Sequence, residues 1–186
     1  VMESSVSDLG GFDQVIFTAY SKGGTSLASE QEYQNASLSA LLVGLSGIGG
    51  FTPVDLGKLL AGKIASAASF VGSNTHGVSG SASPEDLETA MQLLYLQFTA
   101  PNRDPAAFDL MKQRLEANLA NQAQSPGAVF GERARCINTV NHYTCRALKL
   151  EDLPKLNAEK MYAFHRQLYA NAADFTYFIV GAFSID

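Results

Sequence analysis

Apolar positions along the chain change their spacing several times, and each change predicts a different element. β-Branched and aromatic residues dominate Gln14–Tyr20 (QVIFTAY), and Lys22-Gly23-Gly24 follows, which predicts a strand that ends in a glycine turn. Apolar residues then recur at helical spacing from about residue 30 to 45. Ser29, with Glu32 three residues later, is typical of a capping box at the start of that helix.

Later helices are predicted by a start signal that recurs along the chain, a capping side chain followed by proline. It occurs at Thr52-Pro53, Ser83-Pro84, Asp104-Pro105 and Ser125-Pro126, and Asn157 offers a cap without proline. The cap oxygen accepts a free backbone amide, and proline at the first helical position sacrifices no hydrogen bond. We expect a helix after each of these caps.

Two of these predicted helices carry apolar stripes that indicate a core. The stripe after Ser83 comprises Leu87, Met91, Leu94, Tyr95 and Phe98, and the stripe after Asp104 comprises Phe108, Met111, Leu115 and Leu119.

Three further strands complete the predicted fold. Ile64–Val71 and Gly77–Ala82 are joined by a glycine- and serine-containing turn, which predicts a hairpin with His76 in its turn. The apolar run 175–180 (FTYFIV) predicts a buried strand. The order of elements favours an α+β fold, a two-layer sandwich in which a mixed, mostly antiparallel sheet carries helices on one face.

Composition limits the chain to one domain and excludes some classes of partner. The chain has 186 residues, of which 46% are apolar, and this is enough for residues 1–186 to form one domain with a single hydrophobic core. The net charge of −5 and scattered basic residues argue against a nucleic-acid partner. The most apolar stretch, 36–51, is interrupted by serines and glycines, so no membrane span is expected. The start, Val1-Met2, favours a piece excised from a longer protein, with no signal peptide in the polar residues 1–11.

The histidines and cysteines give no clear catalytic or metal pattern. None of His76, His142 and His165 has a second histidine or a carboxylate at the three- or four-residue spacing that places two ligands on one helix face. His165 is expected to be a half-buried helix residue. The spacing of Cys136 and Cys145 permits a disulfide but does not require one, and we favour two free thiols over a disulfide and both over a metal site.

Two other active-site patterns are absent because the residues they require do not occur in the required order. The glycines of 44–50 follow a predicted helix, whereas a phosphate-binding loop precedes one, and no Gly-Lys-Ser/Thr completes them. No Gly-x-Ser-x-Gly sequence is present either, so a serine hydrolase is disfavoured.

Several segments, in this order, resemble the repeat domain of M16 (pitrilysin/insulinase-like) zinc peptidases. They include the strand and turn 15–24, the helix 30–45, the segment Gly50-Phe51-Thr52, the hairpin to Gly80-Ser81-Ala82 and the final Phe175–Gly181. The resemblance covers nearly the whole chain and is closest to the third repeat of large four-domain bacterial zinc proteases.

The resemblance implies a zinc site that this chain lacks. Active M16 domains carry His-x-x-Glu-His on the first helix and a distant Glu on a later long helix. Here Ser39 and Val43 stand where the histidines would be, Leu42 stands at the general base, and Asn118 stands at the distant Glu. The nearest carboxylate, Glu116, is about 200° around the helix from Asn118. No residue between Val1 and Thr75 is a histidine, and aliphatic side chains cannot bind zinc.

By resemblance, we expect a non-catalytic domain with no cofactor of its own. It would help to wall the peptide chamber of a periplasmic or cell-envelope zinc endopeptidase of bacteria, with zinc in another domain of that parent. Its partners would be other M16 repeats of the same polypeptide and the parent's peptide substrate. The alternative is a stand-alone inactive M16-like subunit that binds or assembles a larger complex.

Overall fold

An antiparallel sheet of four strands forms one layer of the protein. This computed structural model describes residues 14–122 and 125–181. The strands are β1 (Val15–Lys22), β2 (Ala65–Val71), β3 (Thr75–Ala82) and β4 (Thr176–Gly181). Their order is β2-β3-β1-β4, and each neighbouring pair is antiparallel.

Helices form the second layer, and together with the sheet they confirm the predicted α+β class. They are α1 (Tyr33–Ser46), α2 (Pro53–Leu59), α3 (Leu87–Thr99), α4 (Pro105–Gln122), α5 (Pro126–Asn138) and α6 (Ala158–Leu168). Helices α1 and α3 pack on β2, α3 also packs on β3, and α4 and α6 pack against α1. No helix within 14–122 or 125–181 is both long and apolar enough to cross a membrane.

The predicted caps are present at five helix starts. Thr52 Oγ1, Ser83 Oγ and Ser125 Oγ each accept the backbone amide three residues ahead, and Asn157 Oδ1 accepts the Lys160 amide at 3.1 Å. Asp104 Oδ1 accepts the Ala106 amide at 2.9 Å. These side chains satisfy amides that have no partner inside the helix. Ser83 caps the 3-10 turn Pro84–Asp86, which leads directly into α3 at Leu87.

The predicted capping box at α1 is wrong. The helix begins at Tyr33, and its N-cap residue Glu32 makes no side-chain cap. Ser29 lies in a preceding turn, where its carbonyl accepts the Glu32 amide at 3.1 Å. The Glu32 carboxylate instead pairs with Lys160 Nζ at 2.7 Å, so it ties the start of α1 to α6.

The sheet core follows the alternation of β1. Val15, Phe17 and Ala19 are buried and face the helices, together with Val78 and Ala82 of β3. Gly80 lets β3 lie against Phe17, because a Cβ at this position would be 2.3 Å from the Phe17 ring. The packing here therefore depends on small residues of β3.

The buried stripe of α3 differs from the prediction. Tyr95 is 66% exposed, whereas Ala90, Leu93 and Gln97 are buried. Gln97 Nε2 donates to the Ala67 carbonyl of β2 at 2.9 Å, so a polar residue occupies a place on the inner face of the helix. Its hydrogen bond to the sheet removes the cost of that burial.

The strand predicted at 175–180 is correct, but its burial is wrong. All six residues of β4 are exposed, and only Phe175, just before the strand, is buried. Strand β4 lies at the edge of the sheet, whereas α1 and α3 pack over β2 and β3 at the other side. An apolar run alone does not distinguish a central strand from an edge strand.

Cys136 and Cys145 form a disulfide in the structure instead of the free pair that we favoured. Val140 and Asn141 adopt positive φ angles of 53° and 56°, and the chain reverses there so that the two cysteines meet. The disulfide links α5 to the short 3-10 turn Tyr143–Cys145. Its presence is consistent with an oxidising compartment.

Reduction of this disulfide is expected to loosen α5 and leave the sheet intact. No residue of α5 is buried, and besides the disulfide it is held by hydrogen bonds from Arg135 Nε to the Cys145 carbonyl and from the Ala147 amide to Glu132. A disulfide closing so short a loop contributes about 2 to 3 kcal/mol. Hydrogen exchange with and without reductant measures the effect. Reductant should change nothing in a Cys136→Ser/Cys145→Ser variant, and unchanged exchange of α5 in the native protein would refute the expectation.

Candidate functional site

The middle of α1, to which the resemblance assigns the M16 zinc site, is part of the hydrophobic core. Leu42 is 0% exposed and Val43 1% exposed. They belong to one cluster with Ala107 and Met111 of α4 and with residues of α6 and its approach, namely Leu156, Met161 and Tyr162. Two of the positions assigned to zinc chemistry therefore hold three helices together.

Ser39, at the first histidine position, is also buried and already bonded. It is 0% exposed, and its hydroxyl donates to the Ala36 carbonyl one turn back at 2.7 Å. The hydroxyl proton is thus used within α1. Serine at this place satisfies its own polar group locally, which allows it to sit in an apolar environment.

A polar contact closes the end of this helical core. Ser46 Oγ donates to the Leu42 carbonyl at 2.8 Å and lies 2.8 Å from the hydroxyl of Tyr162. The same Tyr162 hydroxyl accepts the backbone amide of Asp104, just before α4, at 3.1 Å. One phenol therefore links α1, α6 and the start of α4, a role that the sequence pattern did not reveal.

Asn118 lies outside this core. It is exposed on α4, seven residues after Met111 and so on the same side of the helix about two turns further along. Glu116 is exposed as well. In the part of the chain that the structure describes, no three His, Cys, Asp or Glu side chains are grouped so as to hold a metal ion.

The structure brings two histidines together in a place that sequence analysis missed. His76 was predicted in a solvated hairpin turn, but it lies in β3 and is 4% exposed, because the strand begins at Thr75. His165 was predicted half-buried and is 1% exposed. Both rings contact Tyr169, His165 by stacking at 4.2 Å and His76 edge-on at 5.6 Å between ring centroids.

Hydrogen bonds fix each member of this cluster. The Gly24 amide donates to His76 Nδ1 at 3.3 Å, and His76 Nε2 lies 3.0 Å from the Leu168 carbonyl, so Nε2 carries the proton of a neutral ring. His165 Nε2 lies 3.2 Å from Ser69 Oγ. The Tyr169 hydroxyl is 2.7 Å from the Phe70 carbonyl and 2.6 Å from that of Gly77.

Burial controls the titration of these groups. Desolvation lowers the pKa of His165 to about 4, with a smaller contribution from His76, and it also lowers the pKa of His76. Desolvation raises the pKa of Tyr169 above its ordinary range. All three are therefore neutral near pH 7. These three side chains join the sheet to the end of α6, which is a structural role. The sequence signal that could have indicated the cluster is the spacing of four residues between His165 and Tyr169, which places them on one helix face.

His142, the remaining histidine, belongs neither to the hydrophobic cluster around Leu42 nor to the cluster of His76, His165 and Tyr169. It is exposed, and its Nδ1 lies 2.9 Å from Thr144 Oγ1 in the turn before Cys145. It shapes the loop next to the disulfide.

Comparison with known proteins gives relatives of one kind. No protein-family model matches the sequence. The chain is 28% identical over 172 residues to a "Zinc protease PQQL-like" of Arabidopsis thaliana, covering 91% of this chain. It matches the periplasmic protease PqqL from Escherichia coli with a TM-score of 0.77 at 21% identity over 95% of this chain. A peptidase M16 inactive domain from Pseudomonas fluorescens matches with a TM-score of 0.75 at 17% identity over 92% of it.

The chain has the fold of an M16-like peptidase domain. This confirms the resemblance drawn from its segments. The domain spans 15% of the length of the Arabidopsis protein, 19% of the PqqL chain and 42% of the Pseudomonas chain. It also matches a structure of the first half of PqqL, with a TM-score of 0.71 at 11% identity over 92% of this chain and 38% of that one. The M16-like domain is therefore much smaller than the proteins it resembles.

Truncation of Leu42 is expected to destabilise the domain far more than truncation of its neighbour Leu41. Leu42→Ala should lower the free energy of unfolding by about 2 to 5 kcal/mol, because it leaves a cavity between three helices. Leu41 is 47% exposed, so Leu41→Ala should cost less than about 1 kcal/mol. Urea unfolding measures both, and equal losses would show that the Leu42 position is not a core position.

The buried histidines are expected to make stability fall between pH 7 and pH 5. A lowered pKa means that the unfolded chain binds protons first, so stability present above pH 6.5 is lost as the pH falls towards 4. For His165 alone the loss at pH 5 is about 2 kcal/mol, and His76 acts in the same direction.

Urea unfolding at both pH values tests this expectation. His165→Gln should flatten the dependence. Asp86 and Asp152, whose pKa values are lowered mainly by hydrogen bonds to the Ile64 amide and Lys155, lose their contribution only below about pH 4. His76 retains its own share of the slope, so a slope in His165→Gln as steep as that of the native protein would contradict the assignment.

Proposed function

We propose that this chain is a non-catalytic M16-like domain that helps to wall the peptide chamber of a larger zinc metallopeptidase. The observation that carries the proposal is the packing of Leu42 and Val43, which fill the expected positions of the general base and a zinc ligand with core side chains. A zinc-activated water needs metal ligands and a base at those positions. Here those positions stabilise the fold.

The proteins that resemble the chain support a larger parent. The chain is a minor part of the Arabidopsis protein and of PqqL, and both are named as proteases. We therefore propose that zinc is bound by another domain of the parent, and that the partners of this domain are other M16 repeats and the parent's peptide substrate. Because the chain corresponds to only a small part of each relative's length, a domain of a larger parent is favoured over a stand-alone subunit.

The proposed compartment is the bacterial periplasm or cell envelope. PqqL is a periplasmic protease, and a disulfide such as Cys136–Cys145 is stable in that oxidising environment. A reducing cytosol would keep both thiols free.

The proposal is tested by measuring zinc content and peptide cleavage for the purified chain and for its full-length parent. We expect the chain to bind less than stoichiometric zinc and to cleave no peptide. The parent should cleave peptides and lose this activity with a chelator. Chelator-sensitive cleavage by the chain alone would refute the non-catalytic assignment, and a parent without zinc or activity would refute the chamber role.

A further inference from the structure

Strand β4 carries apolar side chains that no layer within residues 14–122 and 125–181 covers. In its pairing with β1, Ile179 lies opposite Phe17, and Tyr177 lies opposite Ala19. Phe17 and Ala19 are buried on the helix side of the sheet, yet Ile179 and Tyr177 on the same side are 41% and 45% exposed. The helical layer therefore stops short of β4.

The other face of β4 is equally open. Phe178 is 52% exposed and Val180 is 49% exposed, and the neighbouring Ile16 of β1 is 55% exposed. Phe178 stacks on Tyr20 of β1 with ring centroids 5.7 Å apart, so these side chains form one apolar surface. Both faces of this strand are thus apolar and accessible.

The outer edge of β4 also lacks the features that protect natural edge strands. Such strands normally carry charges, proline or a bulge, because unpaired backbone groups invite another strand. The sequence TYFIVG has neither a charge nor a proline, and its pairing with β1 is continuous from Thr176 to Gly181. The opposite edge strand, β2, consists mainly of alanine and serine and lies under α1 and α3.

The chain enters and leaves the sheet beside this edge. Val15 at the start of β1 pairs with Gly181 at the end of β4, so the two ends of the described fold meet at the same end of the sheet. The chain makes up 15% and 19% of the lengths of its Arabidopsis and PqqL relatives. In a parent of such length, the adjoining polypeptide would start next to β4 and would have a high effective concentration there.

We propose that a further β-strand of the parent polypeptide, outside this chain, pairs with the free edge of β4 and covers its apolar side chains. The proposal rests on the proposed function, because it requires a longer parent. The added strand would supply backbone hydrogen bonds to β4 and alternating β-branched or aromatic side chains on both faces. The covered residues are Tyr177, Phe178, Ile179 and Val180.

Thiol labelling at β4, in the chain and in the full-length parent, tests this pairing. Ile179→Cys introduces a thiol at the free edge, and the native cysteines are held in their disulfide. The matched control is Ala68→Cys on the opposite edge strand, where the side chain is exposed. We expect the parent to label about tenfold more slowly than the chain at position 179, and the two to label at similar rates at position 68.

Hydrogen exchange of the unsubstituted proteins provides a second measurement that needs no variant. The amides of residues 176–181 should exchange more slowly in the parent than in the chain. Equal labelling rates at position 179 together with equal exchange of β4 would overturn the proposal.

Two other occupants of the β4 edge would give different results, and either result would also overturn the proposed strand pairing. A second copy of the chain would protect β4 in the isolated domain, and this protection would disappear on dilution. A bound peptide would protect β4 of the parent only when an unfolded peptide substrate is added. Because labelling does not depend on cleavage, a parent without zinc or activity could still show the pairing, so this test and that of the proposed function fail separately.

Discussion

The contact of α1 with α4 and α6, made by Leu42 and Val43, is the interaction on which the rest of the structure depends. It joins the helix that follows β1 to two of the helices that follow the hairpin, so it links segments distant in sequence. A buried leucine contributes about 2 kcal/mol through the apolar surface it removes from water. Polar ligands at these positions would forfeit that contribution unless a metal compensated for it.

The histidine cluster has a related role at the other end of α6. His76, His165 and Tyr169 bind the end of α6 to β2 and β3 through hydrogen bonds from neutral rings. Imidazoles are often interpreted as catalytic or metal-binding groups, but these two are desolvated and packed against Tyr169, His165 by stacking and His76 edge-on. They are polar groups buried in the core whose hydrogen bonds are satisfied.

The order of the elements could be predicted from the sequence because caps and glycine turns act locally. Thr52, Ser83 and Asn157 make the predicted contacts, since each needs only an amide two or three residues away. The Ser29 cap does not form, and the Glu32 carboxylate instead pairs with Lys160, which is far away in the sequence. The burial of His76 and the exposure of β4 also depend on which elements lie beside them.

For the candidate site too, features set by nearby residues could be predicted from the sequence, whereas features set by residues distant in the sequence could not. The places of Ser39, Leu42 and Val43 on the first helix followed from the resemblance, and the structure shows what surrounds them. The cluster that Leu42 shares with Met111 and Met161, and the link through Tyr162, come from helices that meet only in the folded chain. No spacing in the sequence could predict them.

The central claim is that α1 presents core side chains where an M16 peptidase would bind zinc. Anomalous diffraction at the zinc edge, from crystals of the chain grown with zinc, tests it most directly. The account predicts no anomalous peak between α1 and α4 near Ser39 and Val43, with Leu42 buried in the core. An ordered zinc ion at that place would contradict it.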